Sequence, residues 1–177
     1  MKLRSVCAAV AVSIVAAGMT GCATGAKSEA MVVEKVAVAH QSSSNVTVAV
    51  SGGSSTNGMG ASQISDDDFA KALSDSIAKS GLFKEVLPSG GRYKLTAFIG
   101  KVDQPVFGFN MTVKMEVSYT LVDTQSGKTV WSKNVASEHT AKAGEAFAGV
   151  KRLRLANEGA AKANIEQVIT EISSVGV

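Results

Sequence analysis

An unbroken alternation of apolar and polar residues runs from Phe109 to Leu121. Its apolar members are Phe109, Met111, Val113, Met115, Val117, Tyr119 and Leu121. Because successive side chains of a β-strand point to opposite faces, this pattern predicts one strand with a buried face and a wet face, as in an antiparallel sheet. The following TQSGK at 124–128 is typical of a tight turn, so residues 129–140 are predicted to pair back as the next strand of a hairpin.

Two helices are predicted to cover the apolar face of that sheet. The first begins at the N-cap residue Ser65, carries aspartates in its first turn and ends at Gly81. Its apolar stripe consists of Phe69, Leu73 and Ile77. The second spans roughly 145–174 and follows a 3.6-residue period. Gly159 within it marks a point at which the helix is expected to cross close over the sheet.

Three further strands complete the predicted fold, at residues 45–51, 82–87 and 92–102. The resulting order, β-α-β-β-β-β-α, predicts an α+β fold: a two-layer sandwich of a mostly antiparallel sheet with two helices on one face. Residues 45–177 are expected to form this single domain. Residues 22–44 open with small and polar residues and are expected to form a tether. A short edge strand at 35–40 within this tether is an alternative that the sequence does not decide.

Residues 1–21 are predicted to be a removable export signal. Lys2 and Arg4 give it a cationic head. The apolar run at 6–19 is shorter than the stretch of about 20 residues that a helix needs to cross a bilayer. The run ends at Met19-Thr20-Gly21-Cys22. One interpretation of these four residues is that they end an ordinary signal peptide in which Cys22 has no special role.

Those four residues resemble the lipobox of bacterial lipoproteins, an aliphatic residue and two small ones before a cysteine. The resemblance implies cleavage between Gly21 and Cys22, a diacylglycerol on the nucleophilic Cys22 sulfur, and acylation of the new amino terminus, so that palmitate labels the protein. Such chains anchor a protein almost permanently. Because Ala23 rather than an aspartate follows the cysteine, the resemblance also implies an address on the outer membrane, facing the periplasm.

The mature chain is expected to hold no free thiol and little net charge. Cys7 leaves with the signal and Cys22 carries lipid, so neither is left for a disulfide or a metal site. Loss of Lys2 and Arg4 lowers the formal charge from +3 to +1, which gives no reason to expect nucleic acid as a partner. Both histidines are isolated and no Gly-x-Ser-x-Gly turn occurs, so no catalytic residue, metal site or cofactor is predicted.

Two segments are candidates for contact with a partner or a lipid. The loop before the longest strand carries apolar residues around Gly108, and such loops run over the surface. The start of the last helix carries cations suited to acidic lipid headgroups or a partner. The candidate residues are Pro105, Val106, Phe107, Phe109, Lys151, Arg152 and Arg154. The alternatives are that Phe107 or Phe109 packs into the end of the core and that the cations form an ordinary solvated face.

A wider resemblance rests on the lipobox, the helix that ends in Ser80-Gly81-Leu82-Phe83 and the hairpin from Asp123 to Trp131. Together they resemble small envelope lipoproteins: the auxiliary lipoproteins of lipid-transport ABC systems, the lipopolysaccharide-assembly lipoprotein and the activator lipoproteins of cell-wall synthases. These families have different partners, so the resemblance implies an architecture and a binding role rather than one task.

The expected function is that of a non-catalytic, outer-membrane-anchored lipoprotein that binds or assists another envelope component, with a protein as the expected partner. One alternative is a lipid- or glycan-handling module, enzymatic or not, with a pocket between helices and sheet. The other is a structural lipoprotein that maintains envelope integrity. The sequence leaves the oligomeric state open.

Overall fold

The computed structural model describes residues 23–58 and 61–177. The predictions made for residues 1–21 and for Cys22, including cleavage after Gly21, lie outside the described residues. The elements are α1 (Ser28–Met31), β1 (Ser42–Ser51), α2 (Asp66–Ser80), β2 (Phe83–Leu87), β3 (Tyr93–Asp103), β4 (Met111–Asp123), β5 (Lys128–Ala141), a 3₁₀ turn (Ala143–Glu145) and α3 (Gly149–Val175).

The five strands form one mixed sheet in the order β2-β1-β3-β4-β5. Strand β1 runs parallel to both β2 and β3, whereas β3, β4 and β5 form an antiparallel meander. The predicted α+β two-layer sandwich, with its element order from β1 onward, is confirmed. The β1–β2 pair is parallel because α2 carries the chain back between these two strands, so that β2 starts at the same end as β1.

The chain crosses β1 on its way from β2 to β3. Strand β2 pairs with β1 as far as Thr47, and β3 pairs with the opposite side of β1 from Val46 onward. At the crossing, the Gly91 amide donates to Thr47 Oγ1 (2.9 Å) and the Arg92 amide donates to Asn45 Oδ1 (2.7 Å). A Cβ on Gly91 would lie 2.6 Å from the Thr47 nitrogen, so this close approach of two backbones requires glycine.

Helices α2 and α3 pack on one face of the sheet. Ser65 Oγ accepts a hydrogen bond from the Asp68 amide (3.1 Å), and Gly81 ends α2 in the left-handed conformation (φ 67°), as predicted. At Gly159, α3 passes so close to β5 that a Cβ would overlap the His139 imidazole ring, which confirms the close crossing. None of the helices in the described part of the chain is both long and apolar enough to cross a membrane.

Residues 23–41 form an N-terminal strap that packs against α2 and α3, which differs from the tether predicted for this region. Met31, Val32 and Val33 are buried in the core. The Val33 amide donates to Ser76 Oγ on α2 (2.9 Å), and the Ala39 amide donates to a serine hydroxyl near the end of α3 (3.2 Å). Residues 35–40 form no strand, because the strap lies on the helices and not beside a sheet edge.

A polar network crosses the core between sheet and helix. The Tyr119 hydroxyl on β4 donates to Asn164 Oδ1 on α3 (2.8 Å). Asn164 Nδ2 donates to the Val135 carbonyl (3.0 Å) and to Ser137 Oγ (3.1 Å), both on β5. Burial raises the pKa of the Tyr119 phenol, which therefore keeps its proton and remains a donor. Three elements are thus joined inside the core by one fully buried asparagine.

Candidate functional site

Five large apolar side chains are exposed at one end of the sandwich, where the β3–β4 loop and the connection from β5 to α3 meet the first turn of α3. We call them the apical cluster: Val106, Phe107, Phe109, Phe147 and Val150. Val106 is 93% exposed, Phe107 and Phe109 are each 86% exposed, and Phe147 is fully exposed. Val150 is 43% exposed. Water-exposed aromatic side chains concentrated at one site are typical of a contact surface.

A groove of about 510 Å³ opens beside the apical cluster. Its walls come from the β3–β4 loop on one side and from the start of α3 on the other. The apolar side chains that line it include Pro105, Val106, Phe107, Met111, Val150 and Leu153. Among its described lining residues, Arg152 alone carries a charge. A groove of this size and character suits an apolar group with few polar contacts.

Arg152 joins the two loops that carry the aromatic residues. Its Nη1 donates to the carbonyls of Ala146 (2.7 Å) and Phe147 (2.8 Å), and its Nη2 donates to the carbonyl of Gly108 (3.3 Å). A planar guanidinium can serve several acceptors at once, which a lysine ammonium does less well. Arg152 therefore acts as a brace of the surface, whereas its neighbour Lys151 is exposed.

Replacing Arg152 by methionine (Arg152→Met) is expected to loosen both loops while the rest of the fold stays intact. Each hydrogen bond from a charged donor is worth about 1.5–3 kcal/mol, so exchange of the bonded amides of Ala143 and Glu145 should accelerate about tenfold or more. Hydrogen exchange with mass spectrometry measures this directly. Lys151→Met is the matched control and should leave these two amides protected; equal acceleration in the two variants would contradict the bracing role.

Arg154 fixes the beginning of the N-terminal strap to α3. Its Nη1 donates to Thr24 Oγ1 (2.7 Å), and its Nε lies 3.4 Å from the carboxylate of Glu158. Glu158, only 5% exposed, also accepts a hydrogen bond from the Lys27 amide (3.0 Å). The Ala23 amide donates to the Gly58 carbonyl (3.3 Å). The first described residues are therefore held at the same end of the molecule as the apical cluster.

A second polar network supports the groove from below. Gln104 Nε2 donates to Asn157 Oδ1 on α3 (2.9 Å) and to the Ser62 carbonyl (2.9 Å). Asn157 Nδ2 donates to the same Ser62 carbonyl (2.8 Å). The end of β3, the loop before α2 and the helix α3 are thereby joined at one point, which gives the two walls of the groove a common base.

The two segments predicted to contact a partner or a lipid, residues 105–109 and 151–154, meet at this end of the fold although more than forty residues separate them in the sequence. Phe107 and Phe109 are exposed, so neither packs into the end of the core. The alternation predicts Phe109 on the apolar face of its strand, but β4 begins at Met111 because the partner strand β5 ends opposite it at Ala141. Of the predicted cations, Lys151 is exposed, whereas Arg152 and Arg154 are engaged within the chain.

Phe147 and Val150 are members of the apical cluster that sequence reasoning did not identify. Phe147 stands alone among small residues in AGEAFAGV, a context without any periodicity. Val150 reads as part of the apolar stripe of α3, although it lies beyond the edge of the sheet and is exposed. The only available signal was an isolated aromatic residue directly before a helix.

No family model and no curated protein matches this sequence. Solved structures do match its fold. Protein XCC0632 from Xanthomonas campestris, of family DUF330, is 14% identical with a TM-score of 0.64, and the match covers 81% of this chain and 92% of XCC0632. A candidate lipoprotein from Caulobacter crescentus is 14% identical with a TM-score of 0.51, and the match covers 73% of this chain and 88% of that protein. A PelC dodecamer from Paraburkholderia phytofirmans is 13% identical with a TM-score of 0.50, and the match covers 78% of this chain and 93% of the PelC chain. At these identities the likeness concerns the fold alone.

Proposed function

We propose that this protein is a non-catalytic lipoprotein of the bacterial cell envelope, and that it binds another envelope component through its apical cluster. In this proposal Cys22 carries the lipid, and the protein faces the periplasm from the outer membrane. The observation that carries the binding role is the exposure of Phe107, Phe109 and Phe147 at one end of the fold. The lipobox at residues 19–22 carries the address.

A folded chain gains stability by burying apolar side chains, and here Phe107, Phe109 and Phe147 remain in water. Burying one phenylalanine side chain is worth about 1.5–3 kcal/mol. The brace from Arg152 holds two of the loops in place, so little conformational freedom is lost when a partner covers them. A preformed apolar surface with a charged brace is therefore suited to binding.

The structural relatives are in line with an envelope role. The Caulobacter crescentus protein is described as a candidate lipoprotein. The PelC structure is a dodecamer, and an oligomer of this protein would carry one apical cluster on each chain. The proposal does not depend on that assembly, because each chain has its own complete cluster.

Site-specific photo-crosslinking in intact cells tests the proposal. A photoreactive amino acid at position 107 is expected to give a discrete, reproducible adduct with one envelope component. The same residue at position 175 is the control, because Val175 is 45% exposed and lies at the far end of α3. Adducts of the same pattern from both positions, or none from position 107, would argue against binding through the apical cluster.

The groove supports a second candidate function, that of a lipid- or glycan-handling module. Its volume of about 510 Å³ lies within the range of small-molecule sites. It lies beside the start of α3 and not between helices and sheet, where the sequence-based alternative placed a pocket. A ligand retained in stoichiometric amount during native mass spectrometry would favour this function, and its loss in a Val150→Trp variant, which fills the groove from an exposed position, would assign the ligand to the groove.

A further inference from the structure

The described chain begins at the apical end of the molecule, and this limits where a lipid anchor is able to lie. The Ala23 amide is bonded to the Gly58 carbonyl, and Thr24 is bonded to Arg154. Arg154 stands one helical turn beyond Val150, a member of the apical cluster. Cys22 directly precedes Ala23. A lipid on Cys22 would therefore leave the fold beside the apical cluster.

The reach of the connection between anchor and fold is very short. An extended residue spans at most about 3.6 Å, so a lipidated Cys22 holds Ala23 within a few ångströms of the membrane surface. Many anchored domains have a long linker and turn freely above the bilayer. Here the strap is bonded to α3 from its first residues, so the apical end must face the lipid.

The chemistry of that end fits a lipid surface. The rings of Phe107 and Phe147 stand on loops at the tip, and apolar side chains of this kind partition into the boundary between headgroups and acyl chains. Lys151 is exposed and directly follows Val150 in the first turn of α3, so its cation is suited to attract an anionic headgroup. Asp67 and Asp68, at the acidic start of α2, line a cleft together with Gly25 of the strap, and neither lines the groove beside the apical cluster.

We propose that the envelope component covering the apical cluster is the bilayer that holds the Cys22 anchor, with the aromatic tips inserted among its headgroups. This inference rests on the proposed function and names the partner of that same surface. A protein partner on the apical cluster would have to fit between the fold and a membrane only a few ångströms away. The bilayer needs no such space, and it dehydrates the aromatic rings as soon as the anchor inserts.

Fluorescence on the full lipidated protein in vesicles tests this contact. In the lipidated mature chain the Cys22 sulfur is a thioether and no free thiol is left, so a single introduced cysteine accepts an environment-sensitive dye. Val150→Cys and Val175→Cys are a matched pair: both side chains lie on α3, 43% and 45% exposed, and 25 positions apart along it. At about 1.5 Å per residue the two labels stand nearly 40 Å apart.

In vesicles of phosphatidylethanolamine and phosphatidylglycerol, the label at position 150 is expected to shift its emission to the blue. Lipids brominated near the headgroups should quench most of that emission. The label at position 175 should show neither effect. Adding Phe107→Ser and Phe147→Ser to the Val150→Cys variant should weaken both effects, because the anchor still holds this end near the bilayer while fewer apolar side chains insert; these exposed positions leave the core untouched.

The outcomes separate this inference from the function on which it rests. Protein that floats with vesicles but shows the same unquenched emission at positions 150 and 175 overturns the bilayer contact and leaves the anchored binding protein standing. Protein that does not float overturns the anchor and the bilayer contact together. A protein adduct from position 107 in cells, with no quenching at position 150 in vesicles, assigns the apical cluster to a protein partner and overturns the inference.

Discussion

Replacing the lipobox cysteine by serine (Cys22→Ser) is expected to abolish lipid attachment, to leave the export signal uncut and to remove palmitate labelling entirely. In the proposed lipoprotein the Cys22 sulfur is the nucleophile that accepts the diacylglyceryl group, and a serine hydroxyl is a far weaker nucleophile near neutral pH. Each acyl methylene contributes about 0.8 kcal/mol to membrane binding, so no contact made by the folded domain replaces the anchor. Labelling with radioactive palmitate and the mass of the processed chain measure the effect.

The other cysteine of the sequence, Cys7, provides the control for that experiment. Cys7 lies within the apolar run of the predicted signal, so Cys7→Ser should leave cleavage and labelling unchanged. Cleavage of the Cys22→Ser protein after Gly21 would mean that residues 1–21 act as an ordinary signal. Palmitate on the Cys22→Ser protein would mean that the lipid is not attached at residue 22. The proposed address and the bilayer contact would then both be wrong.

The largest expected effect on stability comes from Asn164→Leu. The substitution keeps the branched heavy-atom skeleton of the side chain, with somewhat bulkier terminal groups, but leaves the buried Tyr119 hydroxyl and the Val135 carbonyl without their partner. A buried polar group without a partner costs about 1–3 kcal/mol, so we expect a loss of about 2–4 kcal/mol in the free energy of unfolding. For a domain of this size that corresponds to a fall of roughly 5–15 °C in Tm.

A double-mutant cycle gives this prediction a sharp control. Tyr119→Phe alone is expected to cost about 1 kcal/mol, since Asn164 keeps its two bonds to β5. In the Tyr119→Phe and Asn164→Leu double variant, the orphaned hydroxyl is gone, so part of the loss should be recovered. Thermal and denaturant unfolding of the four proteins measure the coupling. Additive losses would mean that the hydrogen bond between Tyr119 and Asn164 does not contribute as described.

The elements that the sequence predicts correctly are those whose signal is local. The alternation that continues from Met111 to Leu121 determines which face of β4 is buried, whatever lies beside it. Ser65 and Gly81 determine the ends of α2 through bonds within a few residues. The choice of neighbours for β1 is not local in this sense, and the parallel pairs escape prediction because they depend on where the chain crosses β1 at Gly91.

The candidate site is only half predictable for the same reason. Residues 105–109 can be recognised because apolar residues around a glycine before a strand are unusual for a loop. Their meeting with residues 147–154 depends on the carbonyl groups that Arg152 reaches, and a sequence does not reveal backbone acceptors. The strap resembles a tether in sequence because Met31 and Val33 follow no helical or strand period, and their burial comes entirely from helices far along the chain.

The strap also sets the order in which the fold is completed. The Lys27 amide is bonded to Glu158, 131 residues later in the chain, so the strap cannot reach its native place until α3 is present. Contacts of such high sequence separation close late, because the entropy of a large loop must be overcome first. In the export that we propose, the chain would emerge amino end first, and Met31 to Val33 would stay exposed to water until α3 arrives. A holdase in the proposed periplasmic location that shields short apolar stretches would have its best opportunity in that interval.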